Sequence, residues 1–253
     1  MNVGSATSTG ALAALLCALL APSAQAEQER FPLPPREWPS PVMDRQIFAF
    51  FLLDQLDYRG QPGSDVFAWD AQAWIGGDYN KVWLKTEGET PTGGSTEEAD
   101  VQALYARRIS PFWFVQTGIR REARPRPASD SAVLAIQGLL PYRFNIEASA
   151  FLRGGELSGR LEAEYEVLFT QRLILQPRFE TNFATSADPA REIGSGINDV
   201  QLGLRLRYEI RREFAPYLGV VWTRQIGDTA DLAGARGEDT SEYAVVAGFR
   251  VWY

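Results

Sequence analysis

The chain has 253 residues, 45% of them apolar, and a formal net charge of −7; its mean hydropathy is −0.21 and its pI about 4.9. Histidine is absent and Cys17 is the only cysteine. That excludes serine–histidine hydrolases, histidine-ligated zinc enzymes, disulfide frameworks and thiolate metal sites. Beyond the N-terminal region no apolar run reaches the roughly 18 residues of a membrane-crossing helix, and the acidic balance argues against nucleic acid as a partner.

Ala11–Leu20 (ALAALLCALL) is a short apolar run, followed by Pro22, Ser23 and Ala24-Gln25-Ala26. An A-x-A site after so short a run predicts a secretory signal peptide over 1–26, with cleavage before Glu27. Cys17 is expected to leave with it, because bulky Leu16 precedes it where a lipoprotein site needs a small residue. Glu27–Pro41 (EQERFPLPPREWPSP) holds five prolines and no periodic pattern. Residues 27–44 therefore read as an extended periplasmic linker, ahead of a folded part over 45–253.

From Ile47 onward apolar and polar residues alternate. In Glu156–Val167, Leu157, Leu161, Ala163, Tyr165 and Val167 share one face, and Arg160, Glu162, Glu164 and Glu166 share the other. Only a period of two sorts them so, which predicts a strand. Twelve such segments follow, at 47–58, 66–76, 79–88, 98–109, 113–123, 131–139, 142–153, 156–167, 172–183, 198–210, 215–226 and 242–253. Asp54 and Trp74 interrupt the phase of the first two.

The segments are longer than the five or six residues usual in globular sheets and suit tilted strands crossing a bilayer. Tight connections such as Leu140-Pro141, Phe169–Gln171 and Arg211–Glu213 alternate with long polar ones such as Ala184–Ile197 and Gly227–Ser241. The fold class predicted is all-β: an antiparallel up-and-down outer-membrane β-barrel of about 12 strands, its termini periplasmic because the strand number is even.

Two rings of aromatics fit the interfacial girdles of such a barrel. Phe112, Trp113, Tyr142, Phe214, Tyr217 and Tyr253 lie near the short turns; Tyr58, Phe67, Trp69, Trp222 and Tyr243 lie near the long loops. The alternative is a soluble lipocalin-like barrel, with its apolar face inward.

Register follows from the turns. A two-residue Gly154-Gly155 turn sets Arg153 opposite Glu156, hence Ser149 opposite Arg160 and Glu147 opposite Glu162. A three-residue loop at Phe169–Gln171 sets Leu168 opposite Arg172, hence Glu162 opposite Arg178 and Arg160 opposite Glu180. Such opposed residues couple electrostatically.

Phe48–Gly60 (FAFFLLDQLDYRG) resembles the opening barrel strand of the copper resistance protein B family, the outer-membrane component of bacterial copper resistance operons. Trp69–Gln72, Trp74–Asn80, Arg160–Arg178 (RLEAEYEVLFTQRLILQPR) and Gly194–Trp222 extend the resemblance over about residues 41–253. It implies a non-enzymatic barrel contributing to copper tolerance by export or sequestration; the alternative is a general small-solute or cation pore. Family members commonly carry a Met- and His-rich segment before the barrel, and here that segment is reduced to the Pro-rich linker. A copper site must then draw on carboxylates, backbone oxygens or Met43, and Glu147, Glu162, Glu164, Glu180 and Asp70 are the candidate ligands. Oxygen ligands suit Cu(II) better than Cu(I). The partners implied are outer-membrane lipid, the barrel-assembly machinery through the C-terminal strand ending at Tyr253, and a periplasmic multicopper oxidase of the same operon.

Intact-mass analysis of the secreted protein should give a chain starting at Glu27. A mature species that retains Cys17 with a lipid attached would overturn that processing.

Overall fold

A computed structural model describes residues 46–61 and 63–253; the expected signal peptide over 1–26, the expected linker over 27–44 and Met43 lie outside the described residues. Twelve antiparallel strands follow one another: β1 (Phe48–Gly60), β2 (Val66–Gly76), β3 (Asn80–Pro91), β4 (Glu98–Ser110), β5 (Trp113–Arg124) and β6 (Ser129–Leu139), then β7 (Asn145–Arg153), β8 (Glu156–Glu164, resuming at Val167–Leu168), β9 (Leu173–Ala184), β10 (Gly196–Tyr208), β11 (Phe214–Gln225) and β12 (Ser241–Trp252). Each pairs with its neighbours in sequence, and β12 returns to pair with β1, as in Leu52 opposite Trp252 and Gly60 opposite Val245. Tyr253 completes the seam by exchanging backbone hydrogen bonds with Phe51, 2.9 and 2.8 Å. Closure leaves no edge strand, so the ladder satisfies the backbone all the way round.

The alternation settles which face looks out. Leu134, Leu152, Leu202, Leu204, Leu218, Val220 and Val245 are exposed on the outside, while Gln116, Asp57, Arg205 and Arg207 are buried inside. That is the reverse of a soluble lipocalin-like barrel and matches a lipid-facing wall. Tyr58, Phe67 and Tyr243 at one end, and Phe112, Tyr142, Phe214 and Tyr253 at the other, are exposed as girdle residues. Tyr217 is a correction. It is 5% exposed and faces inward, where its hydroxyl donates to Asp57 at 3.2 Å.

Both phase interruptions have physical causes. Leu53 pairs with Ala71 but Gln55 pairs with Asp70, so Asp54 is the extra residue of a β-bulge and the alternation restarts after it. Trp74 keeps its phase. It turns inward and packs between Phe50 and Trp83, ring centroids 5.7 and 6.2 Å away.

Strand β8 breaks at Tyr165–Glu166, opposite Pro177, which has no N–H to donate to the ladder. Strand β7 starts at Asn145 rather than 142, because Pro141–Arg143 forms a 3-10 turn. Tyr142 and Arg143 have φ of 66° and 68°, a left-handed backbone costing about 1–2 kcal/mol for each such non-glycine residue.

The β7–β8 register is as expected: Arg153 opposite Glu156, Ser149 opposite Arg160 and Glu147 opposite Glu162, with Gly154 and Gly155 at φ 58° and 97°. The β8–β9 register differs. Glu162 faces Glu180, Glu164 faces Arg178 and Arg160 faces Asn182. Here the tight loop is Thr170–Arg172, one residue later than expected. The Thr170 hydroxyl accepts from the backbone N–H groups of Arg172 (3.2 Å) and Leu173 (2.8 Å), and Phe169 N–H donates to the Leu173 carbonyl at 3.0 Å. Moving a loop by one residue keeps every side chain on its face but shifts each partner by two.

At the long-loop end, the segment between β9 and β10 lies against helix α1 (Gly227–Arg236). Gly194 N–H donates to the Thr229 hydroxyl at 2.9 Å, and Arg236 pairs with Glu192 at 3.3 Å. The same segment is tied to the barrel by Arg153 to Asp188 at 2.7 Å and by Arg191 to Glu122. This helix escapes the strand-period reading because it is a short polar insertion within a loop.

The seam depends on close approach. A Cβ at Gly248 would lie 2.5 Å from the Leu56 carbonyl oxygen and 2.8 Å from the Tyr217 hydroxyl, so only glycine lets Tyr217 reach Asp57 across β12. Tyr217→Phe should cost about 1–3 kcal/mol, since it leaves the buried Asp57 short of a donor. Urea unfolding of the lipid-folded barrel measures it, and an unchanged midpoint would show that the hydroxyl contributes nothing to closure.

Candidate functional site

The lumen is where the chemistry-bearing side chains meet. Inward positions of β1, β3, β8, β9, β10 and β12 are occupied by acids and arginines, and they pair across the barrel as well as along the sheet. Lys85 on β3 reaches Glu147 on β7, its ammonium 2.6 Å from both carboxylate oxygens. Arg160 on β8 binds Glu87 on β3, and Arg205 on β10 donates to Gln55 on β1 at 2.7 Å. Arg207 binds Glu166 at 2.7 Å, and Arg250 binds Asp54, the bulge residue, at 2.8 Å. Arg120 pairs with Asp100 at 2.5 Å and lies over the Phe151 ring, 4.5 Å from its centroid.

The centre of this lattice is Arg178. Its guanidinium lies 3.0 Å from Glu162, 3.2 Å from Glu180, 3.6 Å from Asp70 and 3.7 Å from Glu164. Four of the six candidate ligands therefore converge on one side chain. A fifth, Glu147, faces Glu162 in register and is taken by Lys85; its Oε1 also accepts from Ser149 at 3.2 Å. Met43 lies outside the described residues. Glu180 is shared further, lying 3.4 Å from Arg160. Among the described residues no three of His, Cys, Asp and Glu are arranged to hold a metal ion.

A cavity of about 60 Å³ remains within the lattice. Asp70, Gln72, Lys85, Glu87, Asp100, Gln102, Glu147, Arg160 and Glu162 line it. That is room for about two water molecules, at roughly 30 Å³ each. Two oxygens of its lining residues, Asp100 Oδ1 and Gln102 Oε1, are buried and meet no donor among the described residues.

Part of the inner wall is apolar, from Trp83 near the β2–β3 turn to Phe151 near the Gly154-Gly155 turn. Trp83, Leu104, Ala106, Val133, Ala135 and Phe151 form one buried cluster, with Trp74 and Phe114 packed against it. The Lys81 ammonium sits 3.5 Å from the centroid of the Trp74 ring.

Sequence reasoning found the β7–β8–β9 acids because a turn could be used to count register there. It missed Lys85, Glu87, Asp100 and the Asp57–Tyr217–Arg205 group. Their inward parity was readable from each strand, but their partners lie across the lumen, and only barrel closure brings them together.

A closed antiparallel wall, apolar and girdled outside and charged inside, defines an outer-membrane β-barrel. The NanC porin shares the fold, with a TM-score of 0.53 at 14% identity over 78% of this chain and 99% of that one. Residues 47–253 match the family described as "Copper resistance protein B precursor". Relatives include Copper resistance protein B of Escherichia coli, 44% identical over 84% of this chain and 72% of that protein. The Copper resistance protein B homolog of Pseudomonas syringae pv. tomato is 42% identical over the same shares. The chain belongs to the copper resistance protein B family, and its role lies in copper resistance.

Arg178→Gln should destabilise the barrel by about 3–5 kcal/mol, because it leaves several lumenal carboxylates without their cation. Glu164→Gln removes one of four acidic partners and should cost far less. Urea unfolding in lipid vesicles compares them, and equal losses would show that Arg178 is not the centre of the lattice.

Proposed function

We propose that this barrel contributes to copper tolerance without catalysis, by holding copper ions in its lumen on oxygen ligands, as sequestration or as one step of export. The observation that carries the reading is the small lumenal cavity, where Asp100 and Gln102 present unpartnered oxygens beside the opposed pair Glu147 and Glu162. Carboxylate and amide oxygens favour Cu(II), and without imidazole or thiolate the affinity is modest. Asp70, Glu164 and Glu180 line the continuation of the path around Arg178, while Met43 supplies a thioether ahead of the barrel. A general solute pore fits less well, because ion pairs such as Lys85–Glu147 and Arg160–Glu87 cross the lumen and leave space for little more than water-sized species.

The remaining organisation follows from the same reading. Residues 1–26 direct export, residues 27–44 are a periplasmic linker, and residues 45–253 form the barrel with its short turns and both termini in the periplasm. The strand ending at Tyr253 is the segment presented to the barrel-assembly machinery, and a multicopper oxidase of the same operon is the periplasmic partner.

Loss of the gene should lower copper tolerance, and a chain lacking Glu27–Pro41 should restore it. Glu162→Gln, which removes charge with little change of shape, should restore it only in part and should reduce cation selectivity in planar bilayers. Full rescue with unchanged selectivity would leave these carboxylates as architecture alone.

A further inference from the structure

Both rims of the barrel carry exposed arginines. At the long-loop rim Arg121, Arg153 and Arg236 each have a carboxylate partner, as in Arg121–Asp130 at 3.5 Å and Arg153–Asp188 at 2.7 Å, while Arg126 and Arg224 are exposed and meet none among the described residues. At the short-turn rim Arg212 pairs with Glu209 at 3.0 Å, and Arg107, Arg143, Arg172 and Arg211 are exposed and meet no carboxylate among the described residues. Arg143, Arg172 and Arg211 fall at three successive short turns, between β6 and β7, β8 and β9, and β10 and β11, and Arg107 lies near the end of β4, ahead of the β4–β5 turn.

Each has an exposed aromatic ring within five residues along the chain. Phe112 accompanies Arg107, Tyr142 accompanies Arg143, Phe169 accompanies Arg172, and Phe214 accompanies Arg211; Tyr142 is 84% exposed. The pairing is costliest at the β6–β7 turn, where Tyr142 and Arg143 both adopt left-handed backbone and both remain exposed. Neither packing nor a hydrogen bond to a protein side chain repays that backbone. The sequence puts an exposed aromatic ring and an exposed guanidinium close together along the chain where the apolar wall ends.

An aromatic ring sits well at the boundary between acyl chains and headgroups, apolar body one way and polar edge the other. A guanidinium beside it reaches the phosphate layer and offers paired donors to phosphate oxygens. We propose that the short-turn rim is a binding ring for anionic phospholipid headgroups, each of the four turns pairing an arginine on lipid phosphate with an aromatic anchor at the chain boundary. A protein partner would need one contiguous patch. Four sites spaced round a closed rim suit a ligand that surrounds the barrel, and the surrounding ligand is the leaflet. This does not depend on how the lumen handles copper.

The test uses the folded barrel in neutral detergent, with native mass spectrometry counting bound phosphatidylglycerol against phosphatidylcholine. Phosphatidylglycerol should be retained about fivefold better per site, the preference of a single basic residue near an anionic surface, and raising salt on the unmodified protein should erase the difference. The triple variant Arg143→Gln, Arg172→Gln, Arg211→Gln should lose most of the preference while keeping its heat-modifiable gel mobility. The matched variant Arg121→Gln, Arg224→Gln, Arg236→Gln at the other rim should keep it. Equal retention of the two lipids, loss in both triple variants alike, or full displacement by millimolar inorganic phosphate would each overturn the assignment. So would an intact lipid preference in the short-turn variant, including one that coincides with lost copper tolerance, since the ring would then serve something other than lipid.

Discussion

A closed sheet that turns its leucines and valines toward lipid has one remaining place for its charges, the lumen, and in a barrel of twelve strands that space is narrow. The inward acids and arginines are therefore brought within ion-pairing distance of groups on strands several positions away. Lys85 reaches Glu147, and Arg160 reaches Glu87. Desolvation makes any one of these pairs expensive in isolation. A lattice spreads that cost, because Glu87, Glu162 and Glu180 each draw on two arginines and Arg178 draws on four carboxylates. The identity of the wall and the filling of the lumen are thus one constraint read from two sides.

Much of the fold was legible because strand period is a local property. Leu157, Leu161 and Ala163 against Arg160, Glu162 and Glu164 state a two-faced strand within nine residues, and twelve such statements imply closure. The β7–β8 register was legible because Gly154-Gly155 admits one turn length. The β8–β9 register was not, because choosing between Phe169–Gln171 and Thr170–Arg172 depends on hydroxyl hydrogen bonds that no alternation records. Tyr217 was misplaced for a similar reason. Its position near the short turns suits a girdle, but Gly248 opposite opens an inward space that only the paired strand reveals.

The candidate copper ligands divide along the same line. Parity placed Glu147, Glu162, Glu164, Glu180 and Asp70 on the inner face. Parity says nothing of what faces them, and what faces them is a set of cations. A lumen whose carboxylates are already held by Arg178, Arg160 and Lys85 differs from a coordination sphere in one respect that matters for a metal of modest affinity. The copper ion must compete with a tethered guanidinium or ammonium for each oxygen it takes. The unpartnered oxygens Asp100 Oδ1 and Gln102 Oε1 are the exception, since binding there displaces no ion pair.

That competition also bears on direction. An ion gains little at any lumenal position where it merely replaces a side-chain cation, so the energy along the path varies less than the density of carboxylates suggests. Weak, multiple binding is the condition for passage, because a single deep site would retain the ion. The arginines that fill the lumen would then serve to level it. Two features remain unlevelled: the lumenal cavity lined by Asp100 and Gln102, and the apolar wall of Trp74, Trp83 and Phe114 toward the short-turn end. A cation rests more easily in the first than it crosses the second, and holding copper in the lumen needs less of this structure than passing it through.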